Sequence, residues 1–252
     1  MSRLYFDLGN TRIKWWVETG QKEHGAFLYG EVESVLERLV RRLSVSDDVV
    51  FASVVKDRRR DDFIAALSQV GVHQIRECLV TAEALGVQCA YRDHGRLGID
   101  RWLALLAGWS LAAGPCVVVD AGTALTLDWV DRSGQHQGGL ILPGLRLGIG
   151  ALLQGTSNVL VDFDKLDQAE VLPGRNTTDA VYNGALFAQV ATVEYALKQL
   201  QQQEPAAKLL ITGGDGALVG RHLGCHYQFI EDLVFQGMRL LADQNLAVNV
   251  SR

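Results

Sequence analysis

The feature that most constrains the fold of this chain is a duplicated hairpin. Tyr5-Phe6-Asp7-Leu8-Gly9-Asn10-Thr11-Arg12-Ile13-Lys14 sets a carboxylate and a glycine turn between two apolar runs. Val117-Val118-Val119-Asp120-Ala121-Gly122-Thr123 repeats that order before Leu125-Thr126-Leu127-Asp128-Trp129-Val130. Apolar, β-branched runs bounded by turn residues read as strands. A carboxylate at a strand end can hold a hydrated cation, and glycine lets a phosphate approach the backbone N–H groups. The hydroxyls of Thr11 and Thr123 can face phosphate oxygens. For one copy alone an ordinary Asp-Gly hairpin is the stronger account. Two copies, each on a β run, favour a phosphate site and two related halves.

The remaining pattern is that of an α/β protein. Helical periodicity covers about 31–43, with Val32, Val35, Leu36, Leu39, Val40 and Leu43 on one face, and 61–70, 102–113, 145–156, 178–203 and 231–243. Buried-type strands are expected at 49–54 and 208–212, and a turn at Thr19-Gly20-Gln21-Lys22. Residues 80–101 carry turn residues and charges without a period and read as a loop. Gly114-Pro115 then stops a helix and marks a boundary, giving domains 1–114 and 115–252.

Composition narrows the function classes. With 48% apolar and 21% charged residues the chain is globular. No run approaches the roughly 20 apolar residues of a bilayer helix, and the first ten residues, with Arg3 and Asp7, hold no signal-peptide run. A cytoplasmic protein is expected, without a membrane partner. Cys78, Cys89, Cys116 and Cys225 form no CxxC pair, so reduced thiols are expected rather than a disulfide framework or a zinc site. Net charge is −5, and the one basic run, Lys56-Asp57-Arg58-Arg59-Arg60, is followed at once by Asp61 and Asp62. It reads as a solvated helix start, not a nucleic-acid surface.

Several residues are candidates for chemistry. Asp100-Arg101 is the candidate reacting pair: a carboxylate can take an acceptor's hydroxyl proton, and a guanidinium fork suits a carboxylate or phosphate. A helix N-cap aspartate beside a surface arginine is about as good an account of these two residues alone. Lys14 can neutralise phosphate charge, or be merely solvated on an edge strand. Thr212-Gly213-Gly214-Asp215-Gly216, after a strand, lets a base or ribose approach the backbone. No Walker A ending and no GxGxxG after the first strand is present. The six histidines share no motif and read as ordinary polar positions, His94 drawing notice only because it lies in the loop. Trp15 and Trp16, adjacent on a strand, face opposite sides: core on one, a contact with another half or subunit on the other.

Taken together the motifs resemble those of the type III pantothenate kinases, of the acetate and sugar kinase, Hsp70 and actin superfamily. Asp7-Leu8-Gly9-Asn10-Thr11-Arg12-Ile13-Lys14 resembles the family's first phosphate motif, and Leu97-Gly98-Ile99-Asp100-Arg101 its substrate motif. Asp120-Ala121-Gly122-Thr123-Ala124 resembles its second phosphate motif, and Gly138-Gly139-Leu140-Ile141-Leu142-Pro143-Gly144 a further segment. The resemblance implies two ribonuclease H-like (actin-like ATPase) domains with mixed sheets flanked by helices. It also implies ATP-dependent phosphorylation of pantothenate, the first step of coenzyme A synthesis, by a homodimer. By motif position Asp100 is the general base. Tyr91, Gly98, Ile99, Asp100, Arg101 and Thr177 meet pantothenate, Thr177 from the second half or a partner subunit. Asp7, Leu8, Gly9, Asn10, Thr11, Arg12, Ile13, Lys14 and Thr123 hold ATP with its Mg2+, and Asp120 ligates a monovalent cation, K+ or NH4+. The sequence departs from the family at His94, where many relatives have proline. It departs again at Thr156-Ser157-Asn158-Val159-Leu160-Val161, which a Leu-Pro pair usually follows. A kinase of the same fold acting on a sugar or other small alcohol stays open, as does a regulatory protein like the Bvg accessory factor.

Overall fold

The computed structural model describes residues 3–18, 22–43, 48–156 and 163–250. The turn expected at 19–21 and the segment 157–161 lie outside the described residues. The chain begins with β1 (Leu4–Leu8), β2 (Arg12–Glu18), β3 (Lys22–Leu28), α1 (Val32–Leu43), β4 (Asp48–Ser53), α2 (Arg58–Gln69) and β5 (Gln74–Glu77). A small ribbon, β6 (Glu83–Ala84) and β7 (Val87–Gln88), precedes α3 (Ile99–Ala112). Then follow β8 (Cys116–Ala121), β9 (Ala124–Val130), β10 (His136–Pro143), α4 (Leu145–Gln154), α5 (Thr177–Gln201), β11 (Lys208–Thr212), α6 (Gly216–Gly220), β12 (Gln228–Phe229), α7 (Leu233–Asp243) and β13 (Val248–Asn249).

The chain forms two compact units. The first comprises Met1–Ala82, Asp93–Ala107 and Val234–Arg252, the second Glu83–Arg92 and Gly108–Leu233. Each is built on one sheet, and the sheets share a plan: β3-β2-β1-β4-β5 in the first, with β13 added beside β5, and β10-β9-β8-β11-β12 in the second. In both, three antiparallel strands are followed by two parallel ones. The match extends to single hydrogen bonds. Val54 N–H donates to Leu8 O at 3.1 Å and Asp215 N–H to Ala121 O at 2.9 Å. Cys78 N–H donates to Phe51 O and Ile230 N–H to Ile211 O, both at 2.8 Å.

Strand alternation decides which residues reach the chemistry. Leu4, Phe6 and Leu8 enter a core with Val35, Leu36 and Leu39 of α1 and Phe63, Ala66 and Leu67 of α2. Tyr5 and Asp7 therefore share the other face of β1. In the second unit Val117, Val119 and Ala121 face Tyr182, Leu186, Val190, Val193 and Leu197 of α5, so Val118 and Asp120 share the opposite face of β8. Local signals end the elements. Asp57 caps α2 by accepting from Arg59 N–H, and Gly71, at φ +89°, closes it while Val72 N–H returns to Leu67 O. Asn176 caps α5 through Asp179 N–H.

Some expectations need correction. Asp100 and Arg101 are not in the loop: α3 begins at Ile99 and holds both in its first turn. The basic run, by contrast, does start a helix, from Arg58, and its arginines have carboxylate partners, Arg58 with Asp62, Arg59 with Asp57 and Arg60 with Glu77. Lys14 lies on an interior strand, between β1 and β3. The tryptophans do face opposite sides, but both pack inside the first unit. Trp16 lies 5.1 Å from the Tyr5 ring and stacks on Phe235, while Trp15 joins the other core and covers Gly25. The four cysteines are free thiols, and burial pushes Cys78 and Cys116 up to about 12. No helix of the described residues is long and apolar enough to cross a membrane.

Candidate active site

In the first unit the turn between β1 and β2 is closed by Gly9 N–H on Arg12 O at 3.1 Å, and Asp7 stands in register with Lys14. Leu8 and Ile13 are fully buried, so they offer a ligand only backbone, whereas Asn10, Thr11, Arg12 and Lys14 are exposed. Two side chains from elsewhere grip this turn. Tyr29 donates its hydroxyl to Gly9 O at 2.7 Å, and Arg59 Nη1 donates to Asn10 O at 2.8 Å. The Arg59 carbon lies 5.0 Å above the Tyr29 ring, and Asp57 holds the guanidinium from its other edge. Because a peptide is planar and trans, fixing the carbonyls of Gly9 and Asn10 aims the N–H groups of Asn10 and Thr11. Sequence reasoning missed both clamps. Arg59 was visible only as one charge in a basic run.

In the same unit the substrate motif is folded around its glycine. Asp100 Oδ1 accepts from Arg101 N–H at 2.9 Å, and a Cβ on Gly98 would come within 2.6 Å of that oxygen. Glycine there is thus a condition for the carboxylate's placement. Ile99 and Arg101 are buried, and Asp100 is half-buried. Lys56 Nζ ties the preceding turn by bonding Gly95 O at 3.0 Å.

The second unit holds Tyr91, Asp120, Thr123 and Thr177. Its phosphate turn is closed by Gly122 N–H on Ala124 O, and Gly144 N–H donates to Thr123 O, both at 3.0 Å. The glycines around it are packed on backbone. A Cβ on Gly144 would lie 2.1 Å from Gly122 O, and one on Gly213, at φ +94°, 2.4 Å from both Ala121 O and Asp120 Oδ1. The Gly213 loop thus abuts the Asp120 carboxylate, and the site draws in the Thr212–Gly216 segment. Burial raises the Asp215 carboxyl above its usual range, against the pull of Arg146. Thr177, the first residue of α5, opens onto a cavity of about 820 Å3 between α4 and α5.

The donor chemistry suits a phosphate-borne cation. In the first unit Asp7 offers a hard carboxylate oxygen and Thr11 a hydroxyl, and in the second, taken by itself, Asp120 and Thr123 offer the same pair; among the described residues no group of three or more His, Cys, Asp or Glu could hold a metal unaided. A cation at such a site completes its shell with phosphate oxygens and water, as Mg2+ does.

One buried pair was also missed. His136, read as an ordinary polar position, is 1% exposed and bonds Asp128, 3% exposed, at 2.9 Å. An aspartate inside the apolar β9 run was the available signal.

Comparison with known proteins agrees with this architecture. The model of the type III pantothenate kinase family matches residues 3–199. A type III pantothenate kinase of Chromohalobacter salexigens is 36% identical over 255 residues, covering 99% of this chain and 90% of the relative. Among solved structures, a conserved putative Baf family transcriptional activator from Campylobacter jejuni aligns with a TM-score of 0.63 at 21% identity, covering 96% of this chain and 98% of the other. MreB 5 of Spiroplasma citri bound to AMPPNP aligns at 0.52 and 9%, covering 97% and 96%. These two likenesses establish the actin-like ATPase fold. Family model and relative together establish that this chain belongs to the type III pantothenate kinase family.

Proposed function

We propose that this chain transfers the γ-phosphoryl group of ATP to the primary hydroxyl of pantothenate, giving 4′-phosphopantothenate and ADP, the first step of coenzyme A synthesis. The observation that carries the reading is the match to the family over nearly the whole chain, on a fold with two Asp-Gly turns. In this reading Asp100 accepts the proton of the attacking hydroxyl, that oxygen bonds the γ-phosphorus, and the bond to the β–γ bridging oxygen breaks. Arg101 and Tyr91 orient pantothenate, with Gly98 and Ile99 contributing backbone and Thr177 a hydroxyl. The aimed N–H groups of the first turn, with Lys14 and Thr11, receive phosphate oxygens, as does Thr123. Phosphoryl transfer gains most of its acceleration from such positioning and charge stabilisation.

Asp7 would hold the nucleotide's Mg2+ through water, and Asp120 a monovalent cation, K+ or NH4+; these ions supply neutralisation of phosphate charge. Residues 1–114 carry the first phosphate motif and the substrate motif, and 115–252 the second phosphate motif and the adenosine-side loop. We also infer a cytoplasmic homodimer. Its support is one face of α5 on which Ala180, Gly184, Phe187, Ala191 and Tyr195 are all exposed, Phe187 at 56% and Tyr195 at 65%. A contiguous apolar face of this kind marks an interaction surface.

The test follows ADP release with Mg2+, ATP and pantothenate, in K+, NH4+ or Na+. No pantothenate-dependent ADP under any cation sinks the reading. Asp100→Asn should keep nucleotide binding and lose at least about a hundredfold in kcat, the usual share of a general base; near wild-type turnover would remove Asp100 from that role.

A further inference from the structure

The buried pair His136–Asp128 has no part in the reaction as set out above, yet it is tied to a residue that does. His136 opens β10 opposite Val130, and the register slips between His136 and Gly138, so Gln137 is the extra residue of a bulge. Bulges re-aim side chains. Here His136 comes onto the sheet face of Val130 and Asp128, the same face that carries Asp120 on β8.

The hydrogen bonds fix the imidazole's tautomer. Ala90 N–H, which can only donate, bonds Nδ1 at 3.3 Å, so the ring proton sits on Nε2 and is given to Asp128 Oδ1 at 2.9 Å. Both nitrogens are thereby engaged, and the ring cannot turn without losing two bonds. Tyr91, the residue after Ala90, lays its ring parallel to this imidazole, with planes 7° apart and centroids at 6.3 Å, in the range of an offset stack.

The rest of the segment is bound to the same turn. Gln88 N–H donates to Gly134 O at 2.9 Å, Gln135 Nε2 donates to Gln88 O at 3.3 Å, and Gly86 lies so close that a Cβ on Gly134 would be 2.0 Å from its carbonyl oxygen. This zipper runs along residues 86–90 and ends at His136, so the imidazole is the last fixed point before Tyr91.

We propose that His136, oriented by Asp128, is the positioning residue for Tyr91 and so sets how tightly pantothenate is held. The inference rests on the reading that Tyr91 meets pantothenate. A buried carboxylate needs a partner. Using an imidazole for that purpose gives one rigid group three tasks: it neutralises the need of Asp128, accepts the Ala90 amide and supplies a flat surface for the Tyr91 ring.

The test is a kinetic cycle on the full chain with His136→Leu, His136→Gln, Tyr91→Ala and the double variants, each checked for folding by circular dichroism and thermal melting. His136→Leu should raise the pantothenate KM about tenfold, the scale of one buried hydrogen bond and one ring contact, while the ATP KM stays within about twofold. His136→Gln, which keeps one donor and one acceptor, should recover part of the loss and carries the test if the leucine variant does not fold. In the Tyr91→Ala background neither change should raise the pantothenate KM further, because the group being positioned is gone. An unchanged pantothenate KM in the His136 variants, or a rise that persists in full without Tyr91, overturns the inference while the function stands. If Tyr91→Ala itself leaves the pantothenate KM unchanged, the contact between Tyr91 and pantothenate fails and the inference fails with it.

Discussion

Removing a single oxygen, in Tyr29→Phe, tests whether the first phosphate turn is held by side chains from outside it. The hydroxyl donates to Gly9 O at 2.7 Å, and no other atom of Tyr29 changes. A neutral hydrogen bond of this kind is worth on the order of 1 kcal/mol net, because water partly replaces it at a half-exposed carbonyl. If that energy is spent aiming the Asn10 N–H at phosphate, its loss raises the ATP KM about fivefold, since 1.4 kcal/mol is a factor of ten. The effect should fall on ATP binding with kcat nearly unchanged, the signature of binding shared by ground and transition states. Initial rates of ADP release across an ATP series at saturating pantothenate give both constants. Arg59→Gln frees the adjacent Asn10 carbonyl and should act in the same direction. The double variant should fall short of the product of the two, since both restrain one turn and the guanidinium lies over the Tyr29 ring. The phenol's pKa is raised above its ordinary 10.0, chiefly by burial, so the donor persists through the assay range. With the folded value above the unfolded one, its contribution is present below pH 10 and lost only as pH rises through the raised value. An ATP KM within experimental error of wild type in both single variants would refute the clamp.

Gly213→Ala puts a Cβ 2.4 Å from Asp120 Oδ1 at a backbone angle of φ +94°. It should cost about 1–3 kcal/mol of stability and, on the reading that Asp120 holds a monovalent cation, abolish any activation of turnover by K+; full activation by K+ with an unshifted melting temperature would contradict it. Asp215→Asn should raise the melting temperature at pH 7. Burial raises this carboxyl above its usual 3.8, so the charged form is a cost that appears as pH rises through the folded value. The gain must therefore vanish below pH 3.8, where folded and unfolded carboxyls are both protonated, and a gain there equal to that at pH 7 would be inconsistent with this. Phe187→Glu on the exposed face of α5 should halve the mass seen by sedimentation and raise the pantothenate KM; a wild-type chain that already sediments as a monomer removes the dimer.

The fold was legible wherever its causes were local. Each Asp-Gly turn carries its own strand, turn and strand within about a dozen residues, and the apolar face of α5 from Tyr182 to Leu200 is periodic enough to place a helix within two residues of its ends. Asp100 was legible as a candidate but not as a helical residue, because Gly98 and the charges before it hide the start of α3. The structure gives Gly98 a different task, making room for the Asp100 carboxylate. The groups that steady the site were not legible at all. Tyr29 and Arg59 reach the first turn from 20 and 49 residues away, and His136 meets Asp128 only because a bulge changes the strand's phase. None of these contacts has a period, and each depends on where the sheet has already brought the backbone.

The two halves, equivalent strand by strand, meet the same requirement by different chemistry. On the reading that both turns receive phosphate, each must keep its amides aimed while leaving space for it. In the first, side chains do the holding: Tyr29 and Arg59 take the carbonyls of Gly9 and Asn10, and a Cβ on Gly9 would stand 3.1 Å from Arg12 O, tight but short of a collision. In the second, backbone does it: Gly144 N–H takes Thr123 O, and glycines 144 and 213 are pressed to distances no Cβ could occupy. The shared sheet plan sets the topology and the position of each carboxylate, because those follow from strand register. It does not set the means of holding the turns, which depends on what packs beside each. The expected consequence is an asymmetry between matched positions. Alanine at Gly144 or Gly213 should damage nucleotide binding far more than alanine at Gly9, whereas side-chain truncation should matter more around the first turn than the second.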